Sequence, residues 1–310
     1  MKVKLIVILS FCILFAKAQT IYTSYPGNFA NMFSAPEYIT MVQAKIIGPL
    51  NQTTDIETLR TFCTKNTTKR LTNLDLEDAY FSPQEGLLSV EAPNDNIAMD
   101  KTLSPYLFSG FGFKRLVLPS SIDTIGDWAL SGCTDLQILE FPKYLEAIGN
   151  YACYQCINLN EINLPEGLTT IGKYAFEDCS FVQTIKLPST LTKIGDRAFL
   201  GIGIMPVDVW IYSVTPPQTD APYTSLFGSH WNNVTLHVPM GTTDAYLDTE
   251  WVNASEILEF DASTSVSNVL SRSPKQIKGI YDSKGKKCIK MDKGVYIIRY
   301  SDNTTQKVIK

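Results

Sequence analysis

The amino-acid sequence predicts a β-rich solenoid: an array of 23-residue coils, covered at both ends and followed by a small β tail. Three observations carry that expectation. Pro119, Pro142, Pro165 and Pro188 recur every 23 residues, and the Gly126, Gly149, Gly172, Gly195 and Ala129, Ala152, Ala175, Ala198 series keep the same interval. Three punctuating residues held in one register over four units mark an internal repeat, in which each coil buries its apolar face only by stacking on its neighbours. Second, each Pro is preceded by the same apolar spacing: Phe113-x-x-Leu116-x-Leu118, Leu136-x-x-Leu139-x-Phe141, Leu159-x-x-Ile162-x-Leu164 and Val182-x-x-Ile185-x-Leu187. Third, an apolar fraction of 45%, of which aromatic residues make 11% of the chain, is enough to fill a core and argues against wholesale disorder.

Taken in order, the chain opens on an export signal, residues 1–18. Lys2 and Lys4 give a positive start, residues 5–15 are an apolar run, and Ala16-Lys17-Ala18 places small residues before a cleavage point at Gln19. The run is too short to span a bilayer, and Phe11 is bulky where lipid attachment at Cys12 would want a small residue. No later segment is apolar for long enough to cross a membrane, so the mature chain is expected to lack a transmembrane helix.

Residues 19–102 form an N-terminal cap region, in which Leu71-x-x-Leu74-x-Leu76 already has the strand spacing. Residues 103–261 hold the repeats, the last of them lengthened. In each coil, alternation sends two apolar residues of the strand inward and leaves the one between outside. The Pro then ends pairing, because it has no N–H to donate. Ile122, Leu145, Leu168 and Leu191, then Ile125, Ile148, Ile171 and Ile194, give further apolar rows. The Gly that follows is expected at positive φ, turning a corner. The Ala fits a close approach of coils, and Phe108, Phe176 and Phe199 share a large apolar slot that Leu130 and Cys153 fill in two repeats. Val209 to Tyr212, Leu236 to Pro239 and Ile257 to Phe260 read as three more strands.

The L-x-x-L-x-L spacing is the strand signal of leucine-rich repeats. The fuller phrase I-x-L-P-x-x-[IL]-x-x-I-G-x-x-A-F-x-x-C, intact from Ile162 to Cys179, resembles the BspA-type leucine-rich repeats of bacterial surface proteins. Residues 38–78 resemble the leading cap of such proteins and residues 207–260 their lengthened closing repeats. Residues 262–276 are Ser-rich without periodicity and read as a linker. Residues 277–310 show three short strand-like pieces punctuated by Gly285, Gly294 and Asp302-Asn303. They resemble the C-terminal sorting module of type IX secretion in Bacteroidetes, notably at Gly279-Ile280-Tyr281-Asp282, Lys293-Gly294-Val295-Tyr296-Ile297 and the closing Lys307-Val308-Ile309-Lys310. That resemblance implies passage across an outer membrane and attachment at the cell surface.

Charge divides the chain. Residues 19–271 carry 13 Lys and Arg against 28 Asp and Glu, whereas residues 272–310 carry 11 against 3. The acidic body would repel phosphates, so nucleic acid is not an expected partner.

Chemistry-bearing clusters are few. Cys133, Cys156 and Cys179 are 23 apart and stack as compact buried thiols; Cys153-x-x-Cys156 lacks the second pair that a zinc site needs. His230 and His237 are the only histidines, and His237 alternates with Leu236 and Val238, which points it outward. No nucleophile elbow, zinc-protease helix, phosphate loop or dinucleotide fingerprint occurs, so no catalytic residue, metal or cofactor is expected. The expected binding surface is the outward strand row Glu140, Asn163 and Lys186, in line with Val117 and beside Arg115, Ile138, Glu161 and Thr184. It continues into the aromatic residues Trp210, Tyr212, Trp231 and Trp251 of the closing repeats, which read first as a cap whose aromatic side chains plug the last coil and second as interface anchors. The family resemblance implies a secreted or surface-held module that binds a protein or cell-surface ligand in adhesion. The competing readings are a secreted hydrolase of glycans or peptides and a structural surface-layer component.

Overall fold

The computed structural model describes residues 19–23, 42–63, 71–82, 101–220, 226–262, 277–282, 287–288, 295–300 and 305–309. The expected export signal and residues 263–276 of the expected linker lie outside them. The described chain winds as a parallel β-solenoid with three sides.

The first side is the L-x-x-L-x-L side. Strands Gln19–Tyr22, Gln43–Leu50, Asn73–Asp75, Arg115–Val117 and Ile138–Glu140 run parallel in one sheet. Strands Glu161–Asn163, Thr184–Leu187, Val207–Ile211, Val234–Pro239 and Glu256–Phe260 continue it. The two runs meet where the Asn160 N–H donates to the Gln137 carbonyl at 3.1 Å. Equivalent residues are in register, Leu116 opposite Leu139 and Ile162, Ile185, Val209, Leu236 and Ile257 in one row, so like side chains stack from coil to coil.

The second side is a ladder of two-residue strands: Thr102–Leu103, Thr124–Ile125, Ala147–Ile148, Thr170–Ile171, Lys193–Ile194 and Gln218–Thr219. The third side holds no strand, yet its backbone is tied just as regularly. Leu130, Cys153 and Phe176 donate to the carbonyls of Ala152, Ala175 and Ala198 at 2.7, 2.7 and 2.8 Å, and Trp128, Tyr151 and Tyr174 to Asn150, Lys173 and Asp196 at 3.0, 2.9 and 3.0 Å. Every coil thus satisfies backbone groups through its neighbours on all three sides.

Between the sides lies one continuous core, with the four Ala, Phe108, Leu130, Cys153, Phe176 and Phe199 all fully buried. Phe199 stacks on Phe176 at 5.8 Å and on Phe227 at 5.4 Å, which carries the aromatic slot one coil further than the sequence pattern indicated. The three repeat thiols are buried and each reaches a carbonyl of the preceding coil: Cys133 Sγ to Phe108 O at 3.0 Å, Cys156 to Leu130 and Cys179 to Cys153, both at 3.3 Å. Cys is therefore a small apolar group with a donor that a methyl would lack.

One expectation is overturned at the corners. Gly126, Gly149, Gly172 and Gly195 are not at positive φ. They are Gly because coils approach there: a Cβ on Gly195 would lie 2.4 Å from the Lys173 nitrogen. The left-handed turn falls two residues later, on Trp128 (φ 60°), Tyr151 (54°), Tyr174 (57°) and Arg197 (55°), with Tyr106 (61°) in the coil before. A second left-handed position follows at Gly110, Gly132, Gln155, Asp178 and Gly201.

At the leading end, helix Thr54–Cys63 buries Ile56, Leu59 and Cys63, and Arg60 donates to the Ser109 carbonyl at 2.9 Å while its guanidinium lies 4.5 Å from the Phe111 ring centre. At the closing end, strand Thr305–Ile309 pairs antiparallel with Glu256–Phe260, Ile257 facing Ile309 and Leu258 facing Val308. Strands Val295–Tyr300, Ile277–Asp282 and Lys287–Cys288 extend that sheet. The tail thus contributes four strand pieces where the sequence suggested three, the extra one being the two-residue Lys287–Cys288.

Candidate functional site

The outward row of the first side runs Asp75, Val117, Glu140 and then Asn163, Lys186, Trp210, His237, Leu258. Glu140 is exposed and accepts from Arg115 of the coil before at 2.5 Å, while Val117 is covered. Asn163 is exposed and Lys186 half-buried. A surface ion pair of this kind contributes little to stability.

At the closing strands this row becomes aromatic. Trp210 lies flat on the His237 ring, centroids 3.8 Å apart, and the Phe260 ring meets both Trp210 and Tyr212 edge-on at 5.3 Å. Trp210 and Tyr212 are half-buried, and burial together with the nearby Glu166 carboxylate pushes the Tyr212 hydroxyl above its ordinary range. His237 faces outward as its alternation indicates, yet Trp210 covers it. Its Nε2 meets Asp208 Oδ1 at 2.7 Å, and its Nδ1 is buried without a partner among the described residues.

Trp231 and Trp251 are not on this surface. Both sit in short 3-10 helices, Gly228–Asn233 and Glu250–Asn253, and turn inward against Phe227, with Trp231 and Trp251 edge-to-face at 5.9 Å. Trp251 is fully buried and Trp231 nearly so. The physical reason is that the last coil offers an uncovered apolar face, and the largest side chains nearby bury most area by filling it.

A second surface escaped the sequence reading. On the third side, Tyr106, Trp128, Tyr151 and Tyr174 form a continuous stack, with successive centroids 6.0, 4.1 and 4.7 Å apart and planes within 7° of parallel. Tyr154 lies edge-on to both Trp128 and Tyr151, and the Arg197 guanidinium lies 5.8 Å from the Tyr174 ring centre. The left-handed backbone at each of these positions throws the side chain outward into line with its neighbours. A hydrogen-bond relay runs beside it: Asp127 Oδ1 accepts from the Asn150 N–H at 2.6 Å and Asn150 Oδ1 from the Lys173 N–H at 2.8 Å. Burial raises the Tyr151 hydroxyl, helped by Tyr174 and Glu177, and burial then Asp178 raise the Glu177 carboxyl. The signal was present as Ile-Gly-x-[Trp/Tyr]-Ala at 128, 151 and 174, but without the backbone angle nothing said which way those rings pointed.

Among the described residues no group of three or more His, Cys, Asp or Glu is placed to hold a metal, and no helix is long and apolar enough to cross a membrane.

Residues 101–215 match the model of a family described as BspA type leucine rich repeat region, in six copies. Among solved structures, the chain is similar to a leucine-rich repeat protein of T. pallidum, at 25% identity over 39% of this chain and 70% of that one, with a TM-score of 0.31. It is also similar to a leucine-rich repeat protein from Bacteroides ovatus, at 16% identity over 80% and 77%, with a TM-score of 0.23. None of the curated proteins matches. The fold is a leucine-rich-repeat solenoid, and residues 101–215 of it match the BspA-type repeat.

Proposed function

We propose that this leucine-rich-repeat solenoid is an exported, surface-held adhesion module, which grips a protein or cell-surface ligand on the outward face of its parallel strands. The supporting observation is the outward row itself. Polar, exposed Glu140 and Asn163 lead through Lys186 into Trp210 and Tyr212, which Phe260 and His237 hold in fixed orientation. Rigid aromatic anchors beside polar groups are the composition that recognition surfaces favour, and solenoid faces are a usual place for them. In this reading residues 1–18 direct export, residues 19–261 bind, residues 262–276 link and residues 277–310 deliver the protein to the surface.

The test is a binding screen of the secreted protein against immobilised matrix proteins and whole bacterial cells. Saturable binding to one of them, weakened about tenfold or more by Trp210→Ala with Lys186→Ala, supports the reading. Absence of saturable binding to all of them counts against adhesion. Delivery is tested separately, by asking whether a chain lacking residues 272–310 still reaches the cell surface.

A further inference from the structure

The aromatic stack of the third side has two unlike ends. At one, the chain's own Arg197 guanidinium lies over the Tyr174 ring. At the other, Tyr106 stacks on Trp128 by one face only and is 57% exposed, and no ring or cation among the described residues covers its second face. The stack therefore already holds a guanidinium at its far end and leaves the matching platform vacant at its near end.

We propose that this flank docks a protein segment bearing arginine side chains, one of which stacks on the open face of Tyr106. The proposal rests on the reading of the chain as a binding module but assigns a second surface, on a different side of the solenoid. Charge supports the choice of partner. Asp127, whose carbonyl accepts from the Tyr106 N–H at 3.2 Å, is exposed, and its carboxylate accepts from the Asn150 N–H of the following coil at 2.6 Å. Further along, Glu177 and Asp178 are adjacent carboxylates with no ion pair among the described residues; burial first, and then repulsion from Asp178, push the Glu177 carboxyl up, and Arg197 offsets this in part. A cationic segment would relieve that repulsion while its alkyl stems lie along the ring edges. Arginine fits better than lysine, because a planar guanidinium stacks on an aromatic face and pairs with a carboxylate in the same pose. Stacking also fixes the rings in advance, so docking costs little side-chain entropy.

The experiment uses the full secreted chain and a fluorescent arginine–serine repeat peptide, with lysine–serine and glutamate–serine versions, followed by fluorescence polarisation. The expected result is saturable binding in the order arginine, lysine, then none for glutamate. Tyr106→Ala, and Glu177→Gln with Asp178→Asn, each weaken it about threefold or more, with circular dichroism and Tm unchanged. Trp210→Ala leaves it as it was. No saturable binding of the arginine peptide overturns the proposal, and so does equal binding by the parent and both flank variants. Loss only in Trp210→Ala also overturns it, moving the basic ligand to the outward strand face and leaving the adhesion reading intact.

Discussion

A methyl group added to Gly172 would lie 2.5 Å from the Gly149 carbonyl carbon and 2.6 Å from the Asn150 nitrogen, whereas one added to Gly110 meets nothing within 4 Å but sits at φ 72°. The two glycines are thus required for different reasons, steric at one and conformational at the other. Gly172→Ala is expected to cost about 3 kcal/mol or more, through forced separation of two coils. Gly110→Ala should cost only about 1 kcal/mol, the penalty of a left-handed alanine. Denaturant unfolding of the two variants ranks them, and the reverse order would refute the close-approach account. Glu250 offers a test of pH dependence. Only 3% of it is exposed, and burial pushes its carboxyl up. The Thr219 hydroxyl and Leu226 N–H offset this in part, and neither oxygen makes a well-formed hydrogen bond among the described residues. Below the ordinary carboxylate value of 4.5 folded and unfolded chains both hold the proton; above it the unfolded chain releases it first, so stability falls as pH rises. Glu250→Gln should remove that slope, matching the parent near pH 4 and exceeding it by about 1–2 kcal/mol near pH 8, read from urea midpoints across pH.

Strand Glu256–Phe260 is the last of the parallel ladder, and the antiparallel Thr305–Ile309 occupies its outer edge. Removing residues 263–310 leaves that edge unpaired, so the truncated chain is expected to self-associate where the full chain does not, as light scattering would report. A monomeric truncation would mean that Phe260 and its neighbours guard the edge by themselves. Elements differ in how legible they were. The strands of the first side could be placed from Leu71, Leu74 and Leu76 onward, because period-2 burial writes itself into local sequence. The third side was invisible as structure, since its hydrogen bonds run between residues such as Leu130 and Ala152 and leave no local periodicity. Trp231 and Trp251 plug the last coil, as the need to cover an open solenoid end suggests, but short 3-10 helices in a closing segment have no alternation from which to separate them from the outward Trp210 and Tyr212. The stacked Trp128, Tyr151 and Tyr174 were regular in sequence, but their outward aim depends on a positive φ that composition does not encode.

In the whole molecule, coils stack on their neighbours, and from Leu116 through Leu139 and Ile162 to Ile185 they repeat at a constant 23 residues, so this central part of the array should tolerate a change in the number of coils but not in their length. Duplicating residues 151–173 is expected to give a folded, longer solenoid with a Tm within a few degrees of the parent. Deleting one residue from that segment would throw Tyr174, Gly172 and the strand row out of register and unfold the adjoining coils. The division of charge, acidic over residues 19–271 and basic over 272–310, belongs to this scale as well and was plain in the sequence, whereas the aromatic stack of the third side emerged only once coils were stacked. The same stacking decides how the molecule bears load. Its inter-coil hydrogen bonds on all three sides lie along the solenoid axis, so tension applied between the two ends pulls on them one coil at a time instead of shearing all together. Each released coil of 23 residues would pay out roughly 75 Å of chain, taking ~3.4 Å per residue less the ~4.8 Å it occupied when stacked. Held between a surface and a moving partner, such a protein would yield in equal increments at modest force, lengthening as a damper before its grip is lost.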